Sequence, residues 1–165
     1  MATIDLPISD WNTVRSDNAD TVYQNPSPWI ISQSPPTFIL YFLPNLTNAP
    51  DADSITKIEF FYKIISHDTN YMHYLSSGTN AYNPATLTWN NGGGQVGATT
   101  WTTGTATLDA STDGSIEITS SNVLYPSFLI QNGAGNPTNT TFNPATSFIR
   151  VTYTPAASGA FFNFL

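Results

Sequence analysis

Residues 55–65, ITKIEFFYKII, decide how the rest of the sequence is interpreted. Every second residue of this stretch is large and apolar, which is the period of a β-strand with one buried face. The apolar set consists of Ile58, Phe60, Tyr62 and Ile64. The opposite set consists of Lys57, Glu59, Phe61, Lys63 and Ile65. This alternation predicts one strand that buries the first set in a core and turns the second set away from it.

Further strand candidates follow at short intervals between turn signals, and the sequence has almost no stretch with helical periodicity. An Asp113-Gly114 turn predicts a hairpin in which Thr107–Asp109 pairs with Ser115–Thr119. So many strands in 165 residues predict an all-β fold: a two-sheet antiparallel β-sandwich in the form of a jelly roll. The remaining candidates are WII (29–31), TFILYFL (37–43), YMHYL (71–75), ATLTW (85–89), VLYPSFLI (123–130) and SFIRVTY (147–153).

The positions of the prolines and of the strand candidates divide the chain into parts. Prolines bound TFILYFL on both sides, so we predict a short strand that is covered on both faces near the centre of the core. The segment from residue 1 to about residue 28 has no clear strand pattern before WII, and we expect it to be irregular. Residues 1–155 then form a single β-sandwich domain, and residues 156–165 form an apolar C-terminal tail.

The scarcity of charge limits the classes of partner. Charged residues make up 9% of the chain, against about 25% in a typical soluble domain. The formal net charge is −7, and the only cations are Arg15, Lys57, Lys63 and Arg150. So few cations exclude sequence-independent nucleic-acid binding and an electrostatic membrane anchor. The longest apolar run, FILYFL, is too short to span a membrane.

The chain has no cysteine, which excludes a disulfide framework and a thiolate metal site. The start MATIDLPISDW lacks the basic segment and the long apolar run of a signal peptide. These features favour a protein that is made in the cytoplasm and stays there or is released by lysis. A mature secreted fragment is the alternative.

Groups that could perform catalysis are few. Only His67 and His73 could act as bases near neutral pH, with Asp68 beside the first. Two histidines that flank a turn are more often surface residues than metal ligands, so we expect neither an enzyme nor a metal site, and no cofactor. Two carboxylate pairs are interpreted as turn formers, with a structural calcium as the alternative. These pairs are Asp17 with Asp20 and Asp51 with Asp53.

A short internal echo links YNPAT (82–86) and FNPAT (142–146). Asn-Pro favours a turn, and in both places an alternating segment follows. We interpret the echo as a repeated local turn that enters a strand, because the flanking residues show no wider repeat.

Aromatic residues and one long loop supply the candidate ligand surface. Trp89 and Trp101 lie in hydroxyl-rich stretches, where an exposed indole could stack on a sugar; burial in the core is the alternative reading for each. Residues 132–147 form a loop longer than the roughly 12 to 15 residues usual for structureless connections, so it is expected to bind or cover something. The other candidates for this surface are Tyr82, Asn136, Asn139 and Phe142.

The tail is the candidate anchor to a partner. Its sequence SGAFFNFL (158–165) has no charged side chain, and exposed phenylalanines would favour association. Such a segment can dock on a neighbouring subunit or on a shell, and many weak copies on a lattice bind strongly together. The alternative is that the tail folds back over its own sandwich. The anchor residues are Phe161, Phe162, Phe164 and Leu165.

The order of these stretches resembles two groups of proteins. SITKIEFFYKIIS, a tryptophan-containing middle, TATLDASTDGSIEI and SFIRVTYTP look like the strand run of galactose-binding-like jelly rolls, which include many carbohydrate-binding modules; the resemblance covers about residues 54–155. The chain as a whole resembles small virion proteins of tailed bacteriophages that decorate or cement a capsid. It shares with them a start without signal, no cysteine, Thr/Asn/Ser-rich strands, long neutral loops and an apolar end.

The second resemblance implies a virion structural protein, made in the host cytoplasm, that sits as an oligomer between capsomers and stabilises the shell. Its partners would be the major capsid protein or neighbouring subunits, and its localisation the virion. The first resemblance implies the alternative, a carbohydrate-binding or host-receptor-recognition module with a glycan as its partner.

Overall fold

The structure of the protein is a computed structural model that describes residues 1–25, 29–31, 38–67, 72–92, 106–109, 113–118, 124–132 and 140–156. Strands dominate this part of the chain, and its one α-helix, α1 (Trp89–Gly92), is a single turn. Two 3₁₀ turns lie at Ala52–Ser54 and Pro144–Thr146. The strands are β1 (Ala2–Arg15), β2 (Trp29–Ile31), β3 (Phe38–Pro44), β4 (Ile55–Tyr62), β5 (Ile64–His67), β6 (Met72–Gly78), β7 (Ala106–Asp109), β8 (Gly114–Glu117), β9 (Ser127–Asn132), β10 (Thr140–Phe142) and β11 (Phe148–Tyr153).

All strand pairs of the described residues are antiparallel. Eight strands hydrogen-bond in the order β7-β6-β9-β3-β1-β11-β4-β8, and a small second sheet has the order β2-β10-β5. The prediction of an all-β fold is confirmed.

Strand β1 belongs to both layers of the sandwich. Its residues 2–7 pair with β11, and its residues from Ile8 onward pair with β3. The change of partner coincides with a register shift between Ile8 and Asp10, and bulges of this kind bend a strand. The preceding residue, Pro7, has no N–H for a ladder, and the hydroxyl of Ser9 donates to the carbonyl of Leu43 at 3.1 Å.

The bend divides the eight strands into two half-sheets. Half-sheet I contains residues 2–7 of β1 with β11, β4 and β8, and half-sheet II contains the rest of β1 with β3, β9, β6 and β7. Their inner faces meet where Phe42 of β3 stacks on Phe60 of β4, with ring centroids 5.0 Å apart. The predicted two-sheet antiparallel sandwich is therefore confirmed.

The pairing between distant strands is nested. The first strand pairs with the last (β1 with β11), and moving inward β3 pairs with β9, β4 with β8, and β6 with β7. A long hairpin rolled up across two sheets has this connectivity, which is that of a jelly roll.

The main core lies between the half-sheets. Phe42 is its centre, because its ring stacks on Phe60 and also on Phe128, the latter at 5.2 Å. Ile58, Phe60 and Tyr62 are 4%, 0% and 6% exposed, which confirms three members of the buried set predicted for residues 55–65. The fourth, Ile64, is partly buried and packs against this core. The other buried members are Leu6, Leu40, Ile55, Leu75, Ile118, Ile130, Phe142, Ile149 and Val151.

A second core covers the outer face of half-sheet II. There the side chains of Val14, Ile39 and Tyr41 are buried beneath Tyr82 and Leu87, from the segment that follows β6. Leu40 and Phe42 of β3 point to the opposite face of the sheet, into the main core. Strand β3 therefore contributes to both cores. The prediction that TFILYFL is covered on both faces is confirmed.

The stretch 55–65 is two strands and not one. The backbone leaves the β4 ladder at Lys63, whose N–H donates to the hydroxyl of Ser147 at 3.2 Å and whose carbonyl accepts from the N–H of Asn143 at 2.9 Å. Because these bonds replace the ladder, β5 begins at Ile64 and pairs with β10 in the small sheet.

The predicted hairpin around Asp113-Gly114 is wrong. Strand β7 pairs with β6 and β8 pairs with β4, so the two strands lie at opposite ends of the strand order. The carboxylate of Asp113 instead accepts from the ammonium of Lys63 and from the N–H of Ile64. These bonds tie the start of β8 to the end of β4.

The expectation of an irregular segment up to residue 28 is also wrong, because β1 is the longest strand of the described chain. ATLTW is not a strand: Asn91 accepts from the N–H of Thr88 and donates to the carbonyl of Thr86, which closes a turn before α1. The strand predicted within VLYPSFLI begins only after Pro126. WII, TFILYFL, YMHYL and SFIRVTY coincide with β2, β3, β6 and β11 within a few residues.

Phe60→Ala is expected to lower the free energy of unfolding by about 3–5 kcal/mol, because it leaves a cavity beside Phe42 in the main core. Phe61→Ala is the matched control; its ring lies on the outer face and is only partly buried, so its loss should be smaller. Urea unfolding followed by tryptophan fluorescence measures both. Equal losses would contradict the assignment of the inner face.

Candidate functional site

The outer face of half-sheet I is called the charged face here. Four of the five ion pairs between described residues lie on it or at its end. Three of the four cations lie on it or at its end (Lys57, Lys63 and Arg150), with the only two glutamates, Glu59 and Glu117. They lie there because alternate residues of β4, β8 and β11 point away from the core. Asp5, Phe61, Asp113 and Phe148 complete the face.

Arg150 joins the charged and aromatic parts of this face. Its guanidinium donates two hydrogen bonds to the carboxylate of Asp5, at 2.6 and 2.8 Å. Its Cζ also lies 4.5 Å from the ring centroid of Phe61 and 5.3 Å from that of Phe148, which is within cation–π range. The hydrogen bond to Asp5 raises the pKa of Arg150.

Phe61 and Phe148 form a cross-strand aromatic pair. Their positions are directly opposite on β4 and β11, and their rings stack at 4.9 Å with an interplanar angle of 9°. Each ring therefore has one face against the other ring, and the guanidinium of Arg150 lies over both. The three side chains contact one another, so each limits the rotamers that the other two can adopt.

The remaining charges form pairs beside this cluster. The ammonium of Lys57 lies 2.8 Å from Glu59 and 3.9 Å from Glu117. The hydrogen bond to Glu59 raises the pKa of Lys57. Each cation of the face contacts at least one carboxylate. Positive and negative side chains therefore lie side by side on the face, and their charges nearly cancel.

A cleft of about 370 Å³ lies at the end of the charged face, at the lower end of the volume range of small-molecule pockets. Phe61 and Phe148 form its aromatic wall, and the ion pair between Lys63 and Asp113, 2.7 Å long, lies at its edge. Glycine is required at position 114, because a Cβ there would lie 2.7 Å from the hydroxyl oxygen of Tyr62. Ser115 and Thr146 complete the lining.

The opposite outer face, that of half-sheet II, is covered by the segment that contains Tyr82 and Leu87. The side-chain amide of Asn12 in β1 donates to the carbonyl of Pro84 at 2.9 Å. The amide of Asn90 donates to Asp20 at 2.6 Å, which fixes the other end of the segment. The two outer faces therefore differ: one is closed by the chain itself, and the other exposes charged side chains.

Two residues predicted for the ligand surface lie in the core. Phe142 is 0% exposed and Tyr82 is 5% exposed, so neither ring can contact a ligand, and this part of the prediction is wrong. Each ring meets a tyrosine edge to face: Tyr82 meets Tyr41 at 5.7 Å, and Phe142 meets Tyr62 at 6.2 Å. Burial of the Tyr82 hydroxyl raises its pKa well above 10.0.

YNPAT and FNPAT form the same kind of turn, and each stretch begins with one of these two buried rings. In the first, the side chain of Asn83 accepts from the N–H of Ala85 at 3.0 Å. In the second, the side chain of Asn143 accepts from the N–H of Ala145 at 3.2 Å. The interpretation as a local turn is confirmed; a strand follows only the second copy, where β11 begins. The aromatic residue fixes each turn to a core.

Trp89 is partly buried and packs against the second core, and Trp11 packs in the same way against the main core. Several predicted site residues lie outside the described residues. These are Trp101, Asn136 and Asn139 of the ligand surface and Phe161, Phe162, Phe164 and Leu165 of the tail.

The titratable groups named in the sequence lie apart. His67 is exposed at the end of β5, whereas His73 belongs to β6 in the large sheet. Within the described ranges, no group of three or more histidine and acidic side chains could hold a metal ion. No helix of the same ranges is long and apolar enough to cross a membrane.

The carboxylate pairs act in turns. Asp17 binds Arg15 at 2.7 Å, and the carbonyl of Asp51 accepts from the N–H and the hydroxyl of Ser54 at 3.0 and 2.6 Å.

Comparison with known proteins finds no family model that matches the chain and no matching curated protein.

The charged face is not among the surfaces predicted from the sequence, although the sequence contains a signal for it. The outward set of residues 55–65 contains one aromatic residue, Phe61, among charges, and SFIRVTY places Phe148 and Arg150 two residues apart on the same face. What the sequence lacks is the register that sets Phe148 opposite Phe61.

The bonds of Asp113 predict a pH dependence. Its hydrogen bond from Lys63, and then that from the N–H of Ile64, lower its pKa below 3.8 in the folded state. The stabilisation that the Asp113 carboxylate contributes is therefore fully present above its unfolded-state pKa, near 3.9. It is lost as the pH falls through the lower pKa of the folded state. We expect Asp113→Asn to flatten the fall of the unfolding free energy between about pH 5 and pH 2.

Urea unfolding at several pH values, on the native chain, Asp113→Asn, Lys63→Met and the double variant, measures this effect. The effect of Asp113→Asn should shrink in the Lys63→Met background. Identical pH profiles for the native chain and Asp113→Asn would contradict the role given to this carboxylate.

Proposed function

We propose that this protein is a non-enzymatic structural protein of a virion, a decoration or cement protein that binds between capsomers and stabilises the shell. The observation that carries the proposal is the charged face, where Arg150 lies against the Phe61–Phe148 pair beside matched ion pairs. Its partners are the major capsid protein or neighbouring subunits, and its site of action is the virion.

The composition of the charged face favours a protein as the partner. Arginine and aromatic residues are enriched at protein interfaces and dominate their hot spots. Side chains of the ion pairs are 18% to 56% exposed, so a partner could remove them from water and pair with them. Charge patterns of this kind give specificity and register more than affinity.

The support beneath the face also favours a structural role. Strands β4 and β11 hold the face from below with Phe60 and Ile149, both 0% exposed. Side chains carried on paired strands are held more precisely than side chains on loops. A jelly roll is an architecture found in viral capsid proteins and in lectins, so the fold is compatible with the proposal and does not select it.

Attachment to a shell needs only modest affinity from each copy. A site with one arginine and two rings gives a small interface, and repeated copies on a lattice raise the net binding through effective concentration. An acidic, nearly cation-free protein would also not compete for the packaged nucleic acid.

Carbohydrate or receptor binding is the second candidate, and less supports it. Sugar stacking needs a free aromatic face; Tyr82 and Phe142 are buried, and Phe61 and Phe148 each cover one face of the other. The cleft beside Lys63 and Asp113 is the feature that favours it, because an ammonium and a carboxylate could bind sugar hydroxyls.

The test is sedimentation of the purified chain with empty capsid shells of the virus that encodes it, prepared without this chain. Arg150→Ala should weaken binding by roughly 30-fold or more, as expected for a hot spot of about 2 kcal/mol. The matched control is Arg15→Ala, because Arg15 also binds an aspartate and lies 5.3 Å from the centroid of an aromatic ring, that of Tyr23, outside the charged face.

Failure of the native chain to sediment with the shells would contradict the shell proposal, and equal loss in the two variants would contradict the role of the face. Saturable binding to a glycan array, abolished by Lys63→Met, would favour the second candidate instead.

A further inference from the structure

We propose that the cleft of the charged face receives the apolar tail of a second copy of this chain. The cleft is the space lined by Phe61, Phe148, Lys63, Asp113 and Ser115, with Tyr62, Gly114 and Thr146. The tail is residues 158–165, SGAFFNFL, which lie outside the described residues. This inference concerns how copies join each other, and it does not depend on a shell.

The cleft fits an aromatic side chain. Its wall consists of the stacked rings of Phe61 and Phe148, whose partly buried edges would gain contact with a third ring. Edge-to-face and stacked aromatic contacts contribute beyond the area they bury.

A second cavity lined by described residues does not offer the tail the same contacts. It has a volume of about 810 Å³, and its lining includes Asp51 and Asp53 but no phenylalanine. The tail has no charged side chain and carries Phe161, Phe162 and Phe164, which can stack on the aromatic wall of the cleft. The aromatic cleft is therefore the better match.

The position of residue 156 argues that the tail comes from another copy. The N–H of Thr154 donates to the carbonyl of Ser54 at 2.8 Å, so the chain leaves half-sheet I at the start of β4. The cleft lies at the other end of β4, because Phe61 is seven residues further along, about 23 Å at roughly 3.3 Å per residue.

The tail is too short to reach that end comfortably within one chain. Phe161 and Phe162 are five and six residues beyond Ala156, which gives them a maximum reach of about 18 and 22 Å at roughly 3.6 Å per residue. Within one chain, Phe162 or Phe164 would reach the cleft only if the chain reversed after Ala156 and ran nearly straight. A neighbouring copy has no such constraint.

This contact would be heterologous, because the tail of one copy meets the cleft of the next. Such contacts close into a ring when the rotation between copies permits it, and otherwise they extend into a filament. Rings of this kind would place the charged faces of all copies in equivalent positions. The expected assembly is therefore a homo-oligomer in which every copy makes the same contact.

Engineered cysteines can test the contact in the full chain, since the native sequence has none. Thr146→Cys places a thiol at the cleft, and Asn163→Cys places one between two phenylalanines of the tail. The two single variants are mixed, one with a mass tag, and oxidised under mild conditions. Ala85→Cys, exposed in the turn outside half-sheet II, is the matched control for the cleft position.

The expected result is a disulfide-linked heterodimer that forms at least tenfold faster with Thr146→Cys than with Ala85→Cys. Replacement of Phe162 and Phe164 by serine in the tail variant should remove this advantage. Equal rates for the two cleft partners would overturn the proposal.

The double variant Thr146→Cys/Asn163→Cys separates the two sources of the tail. Covalent oligomers on a denaturing gel are expected from a contact between copies. Linked monomers alone would overturn the proposal in favour of a tail that folds on its own chain. Neither result bears on shell binding, which Arg150→Ala tests separately.

Discussion

The bend in β1 is the constraint on which the rest of the structure depends. Because Pro7 cannot donate to a ladder and Ser9 is an extra residue opposite β3, one strand can pair with β11 along its first half and with β3 along its second. Because of this change of partner, the eight hydrogen-bonded strands form two facing layers. The stack of Phe42 on Phe60 is the contact that the layers make at their centre.

Two different outer faces follow from that arrangement. The segment with Tyr82 and Leu87 closes the outer face of half-sheet II with a second core, and the repeated Asn-Pro turns fix their aromatic residues in the cores from both sides. Half-sheet I instead carries the charges of β4, β8 and β11 outward. The chain has few charged side chains, and most of its cations lie on this one face, where they contact carboxylates and aromatic rings.

Local patterns predicted the strands better than they predicted the pairing. The alternation in residues 55–65 was sufficient to find the buried side of β4, and the prolines around TFILYFL marked a strand inside both cores. Strand β1 was missed because Pro7 and the polar residues after it hide the alternation of Ile4, Leu6 and Ile8. Asp113-Gly114 has the sequence of a hairpin turn, but the carboxylate binds Lys63 and Ile64, and such a choice depends on partners that are distant in the sequence. The aromatic pair of the charged face could not be predicted for the same reason, because it depends on the register between β4 and β11.

The central claim is that the charged face is the surface by which this protein binds another protein, and the chain supplies its own probe of that claim. Its only two lysines, Lys57 and Lys63, lie on the face or at its end, while the residue at the N-terminus, Met1, is 92% exposed. The most direct measurement is the rate of acetylation of each amine by mass spectrometry, on the free chain and on the chain after sedimentation with empty capsid shells. We expect both lysines to be protected in the sedimented chain while the Met1 amine stays reactive. Lysines that react equally fast in the two samples would contradict the role proposed for the charged face.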